Sequence, residues 1–198
     1  NLKNPLSTQV REQSIGKVRV MGKIKTPEPV TPIASVFTSD EKLFEAVKET
    51  LSQRLGACIY ESSVLPFDHT DYYAAEMGSS LKRRIFAFDD LIAPSELSNL
   101  KLWSNSMEQA WMIDGKRRVN IDVGYISLGK LVLASTKDHS HRIYLDEGIY
   151  AEVTLRFVGG EFQPWPWTYP DYASQEYRKI FGEIRQLHRL KLRSKSTR

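Results

Sequence analysis

The sequence predicts an α+β domain, and three observations carry that prediction. Segments with two-residue apolar alternation are interleaved with segments of helical period, in the order β-α-β-β-α-β. A β-hairpin and one long amphipathic helix then close the chain. With 41% hydrophobic residues, among them four Trp, nine Tyr and eight Phe, the 198 residues can bury one sizeable core. The expected architecture is a ferredoxin-like sandwich, extended by an antiparallel hairpin and a C-terminal helix.

Each element has its own signal. Residues 1–30 are poor in large apolar side chains, and TPEPVTP places three prolines in seven positions, so this basic segment is expected to be poorly ordered. Met21 opens a stretch that would serve as a start on its own. Pro32–Phe37 reads as a strand. Thr38 and Glu41 have capping-box spacing before a helix that shows Leu43, Val47, Leu51 and Leu55 on one face, with Gly56 past its end. Ala57–Leu65 and Leu81–Phe88 read as strands. Pro94 suits a first helical turn, and Leu97, Leu100, Trp103, Met107 and Ala110 form the apolar face of that helix. Val119, Ile121, Val123 and Tyr125 alternate with Asn120 and Asp122, which gives a strand with one polar face. Residues 127–135 lean toward helix. Arg142–Leu145 and Ile149–Phe157 pair as a hairpin about Asp146-Glu147-Gly148. Its second strand turns Ile149, Ala151, Val153, Leu155 and Phe157 one way, and Tyr150, Glu152, Thr154 and Arg156 the other. Tyr177, Ile180, Ile184 and Leu187 line the final helix. The domain spans residues 31–190, with 191–198 as a basic tail.

Charge is unevenly spread. The first 26 residues carry +5 and residues 178–198 carry +7; the total is +4, so the body between them carries −8. Basic ends on an acidic body suit an anionic partner such as nucleic acid, although short Lys/Arg-rich termini commonly serve solubility alone. No window approaches eighteen apolar residues, and no apolar run of secretory type opens the chain, so no membrane partner is expected. Cys58 is the only cysteine, which excludes an intrachain disulfide and a Cys-based zinc site and makes a cytoplasmic location the expectation.

The segments KIKTPEPV, PFDHTDYYAAEMG, RRVNIDVGYISLGKLVLASTKDHSHRIYLDEGIYAEVTL and FQPWPWTYPDY resemble the uncharacterised bacterial family known as domain of unknown function 4416. The resemblance runs from about Gly22 to about Leu190. It implies a family relationship and brings no established activity, cofactor or catalytic residue.

Four constellations could carry chemistry. Gly124-Tyr-Ile-Ser-Leu-Gly129-Lys130-Leu131 nearly matches a phosphate-binding loop, in which backbone N–H groups cradle phosphate and a lysine reaches its oxygens. Leu131 lacks the metal-binding hydroxyl, which favours a plain strand end running into a buried helix. Asp68-His69-Thr70-Asp71-Tyr72-Tyr73 holds two carboxylates three residues apart, able to converge on a cation or share a proton. Helix capping is the commoner use of such residues. Lys137-Asp138-His139-Ser140-His141-Arg142 projects both histidines to one side when extended, a grip for one metal ion or an acid/base pair, and Arg142 suits a phosphate. The plain alternative is a solvated loop. Asn120, Asp122 and Glu152 lie on polar strand faces that would make a cleft with these loops if the sheet brought them together. Tyr72, Tyr73, Trp165, Trp167 and Tyr169 would then wall it, unless PWPWTYP is simply a strap packed on the core.

The expected function is binding of a phosphorylated or nucleotide-like small ligand, with a divalent cation as the candidate cofactor. Asp71, His139 and His141 are the acid/base candidates. Lys137, Arg142, Tyr72 and Lys130 are the candidates for holding the ligand. Asp68, Asp71, His139 and His141 are those for a metal. The alternatives are a nucleic-acid-associated module using the basic ends and a non-enzymatic interaction protein that docks through the strap.

Overall fold

The structure, a computed structural model, describes residues 22–67, 77 and 80–196. It is α+β, as expected. Its strands are β1 (Thr31–Thr38), β2 (Cys58–Glu61), β3 (Leu65–Pro66), β4 (Lys82–Phe88), β5 (Val119–Ile126), β6 (Lys130–Ser135), β7 (Ile143–Asp146), β8 (Ile149–Val158) and β9 (Glu161–Pro164). Helix α1 (Lys42–Leu55) follows β1, and α2 (Leu97–Ala110) follows a 3-10 turn at Pro94–Glu96. The short α3 (Pro170–Ala173) leads into the long α4 (Gln175–Ser196).

All the strands join one antiparallel sheet in the order β2-β4-β1-β5-β6-β8-β7, with β3 on β4 and β9 on β8. The central β1 is buried at every residue because both faces of the sheet are covered. Ala34 and Val36 pack with Phe44, Val47, Leu51, Leu97 and Leu100 of α1 and α2. Ile33 lies in a second cluster with Leu155, Phe162, Tyr177, Ile180, Phe181 and Ile184, under α4. The molecule is thus three layers, helices over sheet over helix.

Five local expectations are corrected. Residues 127–135 are not helical: Ser127–Lys130 is a turn, closed by Ser127 N–H donating to Lys130 O at 3.0 Å, and β6 follows. Leu131 faces α4 while Val132 and Ala134 face α1 and α2; a strand buried on both sides is a continuous apolar run, which period alone does not separate from helix. The capping box is not formed. Thr38 donates to Arg118 O at 2.7 Å and accepts from Asp40 N–H at 3.0 Å, Asp40 accepts from Lys42 N–H at 3.1 Å, and Glu41 pairs with Lys82. The strand expected at 57–65 is broken into β2 and β3. In β8 the five apolar residues do not share a face, because the register shifts where Leu131 pairs Leu155 and Val132 pairs Val153. Ile149, Ala151 and Val153 therefore face α1 and α2, and Leu155 and Phe157 face α4. The buried face of α2 is shifted from Trp103 and Ala110 toward Lys101, Ser104 and Glu108.

The proline-aromatic strap fills the gap that β7 and β9 leave along the outer edge of β8. Trp167 Nε1 donates to Val153 O at 3.3 Å and Thr168 Oγ1 to Thr154 O at 2.6 Å, which satisfies backbone that no strand pairs. Trp165 and Trp167 stack with centroids 5.0 Å apart, and Trp167 stacks in turn on His141 at 5.4 Å.

At the other side of the sheet α4 is pinned by His188, 1% exposed, whose Nδ1 lies 3.0 Å from Thr31 Oγ1. Burial, and then the nearby charge of Arg185, lower its pKa below the ordinary 6.5. The folded state therefore binds this proton less readily than the unfolded chain does. The stabilising contribution of neutral His188 is complete above about pH 6.5 and is lost as the pH falls through the folded-state value. Urea midpoints of the wild type should drop between about pH 7 and about pH 5 by more than those of His188→Gln. Equal drops would assign the acid sensitivity elsewhere.

Candidate functional site

The site begins with a break in the sheet. β1 pairs with the whole of β5, but β6 pairs only with Gly124, Tyr125 and Ile126 at the end of β5. From Val123 back to Val119 the two strands part. Gly124 sits at the crossing, where an added Cβ would lie 2.3 Å from Val132 O. Helix α2 supplies partners to the backbone left unpaired. Ile121 N–H donates to Glu108 Oε1 at 2.6 Å, and Ile121 O accepts from Lys101 Nζ at 3.1 Å and Ser104 Oγ at 3.5 Å. Lys101, Ser104 and Glu108 are all buried for this reason, in line beside Leu97, Leu100 and Met107. The face expected through Trp103 and Ala110 is displaced accordingly: Trp103 is half-buried and Ala110 is exposed.

Where the strands part, a cleft of about 820 Å³ opens. Five basic side chains line it, Arg83, Lys101, Arg117, Lys137 and Arg142, against four carboxylates, Glu108, Asp122, Glu152 and Asp171. Two ion pairs are tight and buried and form its walls. Arg83 of β4 bonds to Asp171 of α3, with both side chains under a tenth exposed. The Arg83 guanidinium also lies 4.2 Å from the centroid of the Phe67 ring and 5.4 Å from that of Tyr172. Burial works against its charge, but Tyr172, Asp171, Tyr177 and Asp122 more than offset that and raise its pKa. Opposite, Glu152 of β8 gathers three donors. Its Oε2 accepts from Arg142 Nε at 2.8 Å and lies 3.1 Å from His141 Nε2, and its Oε1 accepts from Thr154 Oγ1 at 3.1 Å. Arg142 Nη1 ties this wall to β6 through Ser135 Oγ at 2.8 Å and Lys137 O at 3.0 Å.

Two longer ion pairs also border the cleft. Lys101 Nζ is 3.7 Å from Asp122, and Arg117 Nη1 is 3.6 Å from Glu108. Burial raises the Glu108 pKa, and the charge of Lys101 and the Ile121 N–H act against that rise. Asn120 is 6% exposed and its Oδ1 accepts from Arg117 at 3.3 Å, while its Nδ2 has no partner among the described residues.

Against the expected set, the cleft brings together Lys137, Arg142, Asn120, Asp122 and Glu152. His139 and His141 stand apart from its lining, with rings 5.7 Å from each other, and His141 reaches the site through Glu152. Lys130 is exposed at the start of β6, paired in register with Arg156, and no helix follows Gly129 as a phosphate loop requires. Asp68, Asp71, Tyr72 and Tyr73 lie outside the described residues. Among the described residues no three His, Cys, Asp or Glu side chains group as a metal site. Tyr169 lines the cleft at its rim, half exposed, and Trp165 and Trp167 do not line it. Arg83, Lys101, Glu108, Arg117 and Asp171 are the charged lining residues that sequence reasoning missed.

No helix is long and apolar enough to cross a membrane among the described residues. No curated protein and no solved structure matches the chain. The sequence model of one family, described as a domain of unknown function (DUF4416), matches residues 28–188. That span takes in the parted strands, both ion-pair walls and the strap, and the chain belongs to the DUF4416 family.

Proposed function

We propose that the cleft between β5 and β6 binds a small phosphorylated or nucleotide-like ligand. The observation that carries this reading is the presence of Lys101 and Asn120 in the lining of one cleft. Both are buried in the cleft, and both keep hydrogen-bond donors that the described protein groups do not use. An ammonium has three N–H donors, and Ile121 O occupies one of those of Lys101. A buried donor without a partner is costly, so a ligand oxygen placed there gains a charge-assisted bond and relieves that cost. Tyr169 at the rim offers a ring for a base to stack on. Arg83 and Arg142 serve as fixed walls, since their guanidinium groups are committed to Asp171 and Glu152.

A thermal-shift panel of nucleotides, sugar phosphates and inorganic phosphate, with and without divalent cations, tests this. At least one phosphorylated compound should raise the wild-type melting temperature. Lys101→Met and Asn120→Leu should each weaken that binding by about tenfold or more, the scale of one hydrogen bond to a charged group. Asn120→Leu removes an amide nitrogen that has no partner among the described residues, at the loss of one 3.3 Å bond from Arg117, and should leave the fold intact. No shift across the panel, or a shift that both variants retain, would refute the assignment.

A further inference from the structure

A second feature lies away from the cleft, along α4. Arg178, Arg185 and Arg189 recur at helical spacing and form one stripe, roughly 16 Å long at 1.5 Å per residue. Gly182 falls within the stripe and leaves bare helix there, with nothing within 4 Å of where its Cβ would be. The stripe borders the β5–β6 turn and the β8–β9 hairpin. Arg185 Nε donates to Leu128 O at 2.7 Å, and its guanidinium lies 3.4 Å from the centroid of the Phe157 ring. Arg156, the neighbour of Phe157 on β8, points to the opposite face of the sheet, where it lies 4.3 Å from the centroid of Trp165 and pairs in register with exposed Lys130. Arg178 approaches Glu161 at 3.5 Å. Among the described residues no carboxylate pairs with Lys130, Arg156, Arg185 or Arg189. Arg185 and Arg189 thus stand one helical turn apart without a compensating carboxylate, on a chain whose central body is acidic.

We propose that this stripe binds the backbone of single-stranded nucleic acid. Phosphate oxygens fit guanidinium forks, and a guanidinium held flat against an aromatic ring is also a platform for a base. A membrane surface fits less well. An interfacial helix needs a free apolar face, whereas Tyr177, Ile180, Phe181 and Ile184 of α4 are already buried against the sheet.

Fluorescence anisotropy with a labelled single-stranded RNA tests the proposal on the full chain. Three or four phosphate contacts predict a log–log salt slope of about −2 to −3. Arg185→Gln combined with Arg189→Gln should weaken binding about tenfold or more and flatten the slope. Lys130→Glu, on the opposite face of the sheet, is the control and should weaken it much less. The proposal is overturned by salt-independent binding, by unchanged affinity in the arginine double variant, by an equal loss in Lys130→Glu, by loss of binding only when residues 193–198 are removed, or by binding to anionic vesicles with none to RNA.

Discussion

Replacing Asp171 by alanine should destabilise the protein by about 3–5 kcal/mol, the usual consequence of leaving one member of a buried ion pair without its partner. The mechanism is specific to Arg83. Its side chain is 4% exposed, its guanidinium is ringed by Phe37, Phe67, Tyr172 and Tyr177, and Asp171 is the carboxylate that bonds to it. With Asp171 gone, a charged group that cannot be neutralised stays in an aromatic cage. Cation–π contacts offset only about 1–2 kcal/mol of such a penalty. The double variant Arg83→Met with Asp171→Leu removes both charges and should recover much of the loss, because packed apolar side chains commonly match a buried pair in stability. Chemical denaturation of the three proteins measures this. A single variant that loses less than about 1 kcal/mol would mean that water already reaches the guanidinium.

Gly124→Ala should cost about 1–3 kcal/mol or more, the range for forcing extra atoms into a packed interior. The new methyl would lie 2.3 Å from Val132 O and 2.8 Å from Leu133 Cδ2, and the carbonyl is backbone that cannot rotate away. β5 and β6 must separate at their last shared pairs, which are also the hinge of the cleft. Gly129→Ala is the control. Nothing lies within 4 Å of its added Cβ and no positive φ is required there, so its stability should be unchanged within about 1 kcal/mol. A phosphate loop would depend on both glycines for ligand binding, and this structure makes only the first one critical, for packing. Equal losses in the two variants would contradict that.

The physical reasons for what was legible differ from residue to residue. Asn120 and Asp122 stood out because they supply the polar half of an alternating strand, and parity placed them on one face. Lys137 and Arg142 stood out as charges clustered beside a strand. Lys101 and Glu108 did not, because a lysine and a glutamate on a helix are ordinarily solvent-facing, and their burial follows from a break in a sheet formed elsewhere in the chain. Their spacing with Ser104 did carry a signal: 101, 104 and 108 run beside the apolar 97, 100 and 107. Arg83 carried one as well, since it alternates with Leu81, Ile85 and Ala87 on an apolar face where a lone charge requires a partner. That the partner is Asp171, 88 residues away, depends on how α3 lies across the sheet. The helix expected over 127–135 failed for the opposite reason, since burial of a strand on both sides erases the alternation that identifies strands.

Hydrogen–deuterium exchange, with the phosphorylated compound that gives the largest melting shift, tests most directly whether the parted strands are the binding site. Exchange should slow around Ile121 and at Ser135, Thr136 and Lys137, on the two lips of the cleft, and Asn120→Leu should abolish the slowing. Protection confined to α4 or to the β7–β8 hairpin, with both lips unchanged, would contradict a ligand site between β5 and β6.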